Sequence, residues 1–167
     1  MRFFGVALVS SAVVLGACGG SAKQDSAPAA AAAPAAATPA SAAAPAAAGT
    51  ALPITGKTWE VKMIGDGTVY KFEPANLTIK AGDGIKFVVV STPPHNVAFD
   101  PALIPADVKG QLDANMGPNK MGELSSGLLL TIGDALTISF AGIKPGTYGF
   151  YCTPHLAMNM KGTVTVQ

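Results

Sequence analysis

The chain is expected to fold as an all-β sandwich or barrel behind a leader and a non-globular tether. Three observations carry that expectation. From Trp59 onward, short apolar or alternating runs recur, turn-forming Gly, Pro and Asp residues separate them, and no long amphipathic helix intervenes. A length of 167 residues suffices for one ordinary domain and falls short of two.

The elements follow in order. Thr58-Trp59-Glu60-Val61-Lys62-Met63 alternates with period two, as a half-buried strand does. Leu77-Thr78-Ile79 alternates again, and Ala81-Gly82-Asp83-Gly84 is a turn signal. Ile85 to Val90 is β-branched and nearly continuous, which suits a central strand. Leu128 to Ile132, Leu136 to Phe140, Thr147 to Tyr151 and Gly162 to Val166 complete the set. Residues 101–127 are loop-rich, with Pro101, Pro105, Gly110, Gly117, Pro118 and Gly122, and one short helix is expected around Ala106 to Leu112. No internal repeat is visible.

Hydrophobic residues make up 49% of the chain and charged residues 13%, an excess concentrated at the N-terminal end. Met1-Arg2 is a short basic start, and the apolar run Phe3 to Ala17 is too short to span a hydrocarbon core of roughly 30 Å. It fits the apolar region of a secretory signal. Leu15-Gly16-Ala17-Cys18-Gly19 resembles a bacterial lipobox, which implies lipidation of Cys18, cleavage before it and a membrane anchor. The other reading is an ordinary signal peptide with an incidental cysteine. Residues 27–48 hold 16 Ala and 4 Pro, and prolines recurring every five or six residues break any helix, so an extended, disordered spacer is expected. The organisation is therefore a lipoprotein signal peptide at 1–17, a lipidated Ala/Pro-rich linker at 18–52 and a folded domain at 53–167 on the extracytoplasmic, periplasmic side of a bacterial membrane. From Leu52 to Gln167 nine Lys balance nine Asp plus Glu. That balance sets aside nucleic acid as a partner.

The chemistry gathers at three residues. The folded part has two histidines, His95 and His155, and one cysteine, Cys152. With Cys18 lipidated, Cys152 has no disulfide partner in an oxidising compartment, leaving a buried inert thiol, an intermolecular bond or a metal ligand. In Tyr151-Cys152-Thr153-Pro154-His155 an imidazole follows the thiol by three residues, and Met158 and Met160 come next. Thiolate, imidazole and thioether together favour copper over magnesium or calcium. His95, in Thr92-Pro93-Pro94-His95-Asn96, is the one remaining histidine to close such a site, behind prolines that stiffen its approach. Two histidines and a cysteine with a weak axial methionine form the blue-copper electron-transfer arrangement.

Longer motifs agree. Phe72-Glu73-Pro74-Ala75-Asn76-Leu77-Thr78-Ile79-Lys80-Ala81-Gly82-Asp83, Pro93-Pro94-His95-Asn96-Val97-Ala98-Phe99-Asp100, Pro145 to His155, and Met160-Lys161-Gly162-Thr163-Val164-Thr165-Val166 occur in this order. With them, residues 57–167 resemble the plastocyanins and, more broadly, the small type 1 copper proteins called cupredoxins. The resemblance implies a Greek-key β-sandwich and one copper ion held by His95, Cys152, His155 and a methionine. Met160 stands five residues after the second histidine, as in plastocyanins, and Met158 three, as in amicyanins. The family's Met-x-Gly-x-Val tail selects Met160. By the same resemblance Asn96 ties the two ligand loops together, although a turn asparagine suits the residue type equally. Tyr151 lies on an electron path or is a packed aromatic.

The implied function is one-electron transfer between Cu(I) and Cu(II), with Cys152 and the edge of His155 as exit routes. Pro94, Leu156 and Ala157 would form an apolar docking rim. The partners are redox proteins such as a cytochrome, an oxidase or a reaction centre, and the carrier is a monomer. Enzymatic turnover is not expected, because both histidines are spent and no second cluster remains. The alternative is a copper chaperone or storage module supplying an oxidase. Asp107, Asp113 and Glu123 are scattered among Lys109 and Lys120, unlike the acidic patches of plant plastocyanins, so a photosynthetic and a respiratory partner stand equally.

Overall fold

In the computed structural model, which describes residues 49–167, ten strands, one α-helix and a short 3-10 turn alternate along the chain. The strands are β1 (Thr58–Gly65), β2 (Tyr70–Glu73), β3 (Asn76–Ile79), β4 (Gly84–Val89), β5 (Ala98–Phe99), β6 (Lys120–Gly122), β7 (Ser125–Ser126), β8 (Ala135–Ser139), β9 (Gly146–Tyr151) and β10 (Lys161–Val166). The helix α1 (Ala106–Asn115) lies between β5 and β6, and the 3-10 turn spans Leu156–Met158. The leader, Cys18 and the Ala/Pro run to residue 48 lie outside the described residues.

Two sheets form, as the alternation requires. One has the order β2-β1-β4-β8 and the other β3-β10-β9-β5-β7-β6. β1 runs parallel to β4, and β10 runs parallel to β3, while the remaining pairs are antiparallel. In β1, Val61 and Met63 face the core and Glu60 and Lys62 face solvent, so period two is realised residue by residue. The all-β sandwich expected from the sequence is therefore observed. Between the sheets Phe150 meets Phe72, Phe87 and Phe99 edge-on, with ring centroids 4.9, 5.4 and 6.2 Å away. This is the preferred geometry for aromatic quadrupoles.

Two local expectations are corrected. Leu128 to Ile132 is not a strand; only Leu129 makes a bridge, to His95. The helix runs to Asn115, three residues beyond Leu112. Its last residue, Asn115, is held inside, where its amide donates to the carbonyls of Ser139 (2.9 Å) and Ala141 (3.0 Å).

Residues 49–57 strap the end of the sandwich remote from His95. Gln111 donates to the Thr50 carbonyl, and the Leu52 N–H donates to Asn115 Oδ1. Thr55 and Gly56 both donate to the carbonyl of Gly82, and Gly84 donates to Lys57. Asp83, buried there, accepts from the Trp59 indole (2.9 Å) and from the N–H groups of Lys57 (2.8 Å) and Lys80 (3.0 Å). Those bonds, the indole first, hold its carboxyl below the usual carboxylate range. Among the described residues no helix is long and apolar enough to cross a membrane.

Candidate metal centre

The strand ends at the opposite pole deliver the three chemically distinctive residues to one point. His95 follows β4 across the loop 90–94, and Cys152 follows β9 directly. Those strands lie in different sheets, so the site sits where the two layers meet. The Cys152 sulfur is 3.7 Å from His95 Nδ1 and 3.4 Å from His155 Nδ1, and all three donor atoms lie within 4.8 Å of one another. His95 and Cys152 are fully buried, and His155 keeps 6% exposure, which makes its edge the one part of this cluster open to solvent.

Each donor is held by named partners. The His95 backbone exchanges two hydrogen bonds with Leu129, at 3.0 and 2.8 Å. Its Nε2–H donates to the Ser91 carbonyl at 2.9 Å, which leaves Nδ1 as a lone pair facing the sulfur. After Cys152 the chain turns tightly: His155 N–H donates to the Cys152 carbonyl, Met160 N–H to His155, and Cys152 N–H to Met160. Met160 is fully buried behind this turn. The turn closes at Asn159, left-handed with φ 61°. Gly162, three residues on, pairs with Phe150; a β-carbon there would collide with that ring and lie 2.5 Å from the Ala75 carbonyl. Met158 is exposed.

Asn96 spans the two loops. Its Oδ1 accepts the Thr153 N–H at 2.7 Å, and its amide reaches Thr153 Oγ1 (3.2 Å), Ser125 Oγ (3.3 Å) and the Ser126 carbonyl (3.3 Å). Its N–H points at the Cys152 sulfur from 3.5 Å. Ser125, Ser126, Ser91 and Tyr70 are contributors that sequence reasoning missed. Tyr70 stacks on the His155 ring with centroids 3.8 Å apart and planes 14° from parallel. No motif flagged it, because β1–β2 pairing alone brings it there. Tyr151 is half-buried beside a cleft of about 420 Å³ with Leu103, Leu156 and Lys161.

The electrostatics fit a soft metal cation. Burial pushes both imidazoles below their ordinary value, with His95 further lowering His155, which favours the neutral form that can offer a lone pair to a metal. Burial pushes the Cys152 thiol up, against the opposing N–H groups of Asn96 and His155. A thiolate here needs a positive charge beside it, and a bound metal supplies one. Two imidazole nitrogens and one sulfur, dry and already aimed at a shared point, suit copper.

Comparison with known proteins points the same way. Residues 59–167 match the model of the copper binding proteins of the plastocyanin/azurin family. The chain is 41% identical over 114 residues to the plastocyanin of Nostoc punctiforme, covering 68% of this chain and 76% of that one. It is 35% identical over 118 residues to that of Prochlorothrix hollandica, covering 71% and 79%. The structure of oxidised plastocyanin from Dryopteris crassirhizoma superimposes with a TM-score of 0.53 at 34% identity, covering 65% of this chain and all of that one.

Proposed function

The chain belongs to the plastocyanin/azurin family of copper-binding proteins, and from that premise we propose that it is a membrane-tethered, extracytoplasmic carrier of single electrons. It is a plastocyanin-like cupredoxin, an electron carrier rather than an enzyme, with copper as cofactor and His95, Cys152 and His155 gathered at the site. The convergence of those three donor atoms within 4.8 Å is the observation that carries the reading.

In this proposal His95, Cys152, His155 and Met160 hold the metal, and Asn96 locks their two loops together. Copper there supplies a one-electron couple between Cu(I) and Cu(II). The chain's own part is to keep the donors in place whatever the charge between them. Asn96, Ser91 and the turn of residues 152–160 do so through hydrogen bonds that do not involve the metal. Water is kept from the sulfur by burial, and the edge of His155 offers the short route outward. Around it Pro94, Leu156 and Ala157 are exposed, an apolar rim for brief, desolvated contact with a cytochrome, oxidase or reaction centre. Residues 53–167, with the strap residues 49–52 packed on them, form the copper domain, and Cys18, through its lipid, with the rest of the linker at 18–52, tethers it.

A full chain given Cu(II) is expected to show an intense red-region thiolate-to-copper absorption that bleaches on reduction and is absent in Cys152→Ser. A colourless wild-type protein would overturn the copper-site reading. The tether is tested separately. Mass spectrometry of the mature N-terminus should find Cys18 as the first residue and carrying lipid, and an unmodified Cys18 would overturn lipid anchoring.

A further inference from the structure

One short hairpin touches both histidines without belonging to either ligand loop. Gly65, the last residue of β1, pairs with Tyr70, the first of β2. Between them the turn is stapled by Asp66, whose carboxylate accepts the N–H groups of Thr68 (2.8 Å) and Val69 (2.6 Å). Asp66 N–H also donates to the Val69 carbonyl. The turn is therefore a rigid platform.

From this platform one line of contacts runs to His95. The Gly65 N–H donates to Ser91 Oγ at 3.0 Å, and the Ser91 hydroxyl donates back to the Gly65 carbonyl at 2.6 Å. The Thr92 hydroxyl donates to the same carbonyl at 2.7 Å. Ser91 in turn offers its own carbonyl to His95 Nε2–H, so the acceptor that orients this imidazole is itself pinned to β1. A second line runs to His155 through the stacked ring of Tyr70, whose edge also faces His95 at 6.3 Å. The two imidazoles stand at 58° to each other, each restrained from the same hairpin.

Gly65 is where the two lines cross. A β-carbon on it would lie 2.5 Å from Tyr70 Cε1, 2.6 Å from Cδ1 and 3.0 Å from Thr92 Cβ. The missing side chain is thus the slot in which the tyrosine ring lies against the Ser91–Thr92 loop.

We propose that this hairpin, through Gly65 and Tyr70, is the positioning element that sets the mutual orientation of the His95 and His155 rings and limits their movement on electron transfer. The inference rests on the reading of those histidines as copper ligands. Tyr70 and Gly65 touch no donor electron pair; they act through the imidazoles. Stacking opposes tilting of His155, and the Ser91 anchor opposes rotation of His95, so less rearrangement accompanies each change of charge.

The test uses the full chain with Tyr70→Phe, Tyr70→Leu and Gly65→Ala. In the copper-loaded protein, Y70F should keep the wild-type Cu(II) EPR pattern and electron self-exchange rate. Y70L should shift the pattern and slow exchange by up to about tenfold, the factor that a lost aromatic pair accounts for. G65A should reproduce Y70L, because its methyl displaces the ring. Unchanged exchange and EPR in Y70L, or a Y70F that behaves like Y70L, would overturn the proposal. A second arm reads the metal-free chain with isotopically labelled histidine. His155 ring signals should be a single narrow set in wild type and Y70F and broadened or doubled in Y70L. Ser91→Ala should broaden those of His95. Narrow signals throughout would overturn the hairpin's hold. This arm needs no copper, so a wild-type protein that fails to colour overturns the ligand reading by itself.

Discussion

Asn96 carries more of the site than its single side chain suggests. It is fully buried and bonded to both ligand loops and to β7. Asn96→Ala strands the Thr153 N–H in a part-buried position, at a cost of about 1–3 kcal/mol, so metal-free Asn96→Ala should melt below wild type by that amount of unfolding free energy. An unchanged melting curve would mean the two loops hold each other without it. The gathering of His95, Cys152 and His155 was legible in the sequence because donor chemistry and short spacings are local properties. The tie from Asn96 to Thr153 was visible only as an implication of family likeness. Ser125, Ser126, Ser91 and Tyr70 left no local trace, since serine and tyrosine are common on strands and their relation to the site is created by pairing across the sheet.

Asp83 shows how one turn can fasten a strand, a strap and a neighbouring turn together. Its folded carboxyl lies below the usual range, with the Trp59 indole as the first cause. A depressed folded value means the contribution is fully present above the ordinary carboxylate pKa of about 4 and is lost as pH falls through the lowered folded value. Thermal stability should therefore drop on acidification through that window, and Asp83→Asn should flatten part of the slope; an equally steep variant would assign the loss to other acids. Deeper in the sandwich, Phe150→Ala should cost about 3–5 kcal/mol in denaturant unfolding, because three aromatic edges lose their shared partner. A loss below about 1 kcal/mol would mean that the core collapses into the space. The strands β1, β3, β4, β8, β9 and β10 were legible from alternation and β-branching. The run at 128–132 misled because its apolar residues serve otherwise. Leu129 turns inward to pair with His95, while Leu130 and Ile132 are exposed. The two- and three-residue strands β5, β6 and β7 are too short to set up any period.

The gathered donors favour copper binding to the native arrangement over the unfolded chain, so copper adds stability by mass action. Saturating copper should raise the unfolding temperature, and a chelator should return it to the metal-free value. No rise would mean that the donors gather without binding metal. From Leu52 to Gln167 nine Lys balance nine Asp plus Glu, and three of the lysines are paired, Lys144 with Asp107, Lys120 with Asp113 and Lys71 with Glu73, so the domain carries no net charge. Electron exchange between two copies should accordingly vary little with ionic strength. A steep salt dependence would reveal a charged contact face. The placement of Trp59 has a practical consequence. It is the chain's one tryptophan and pairs with Ile85 near the start of β4, whereas His95 follows that strand's other end. At about 3.3 Å per residue along β1, the indole stands roughly 20 Å from the hairpin that touches the histidines. The protein thus carries a native fluorophore at one pole and a copper chromophore at the other. On heating an unlabelled sample, emission and colour would report the two poles independently, and the order in which they fade would show which end lets go first.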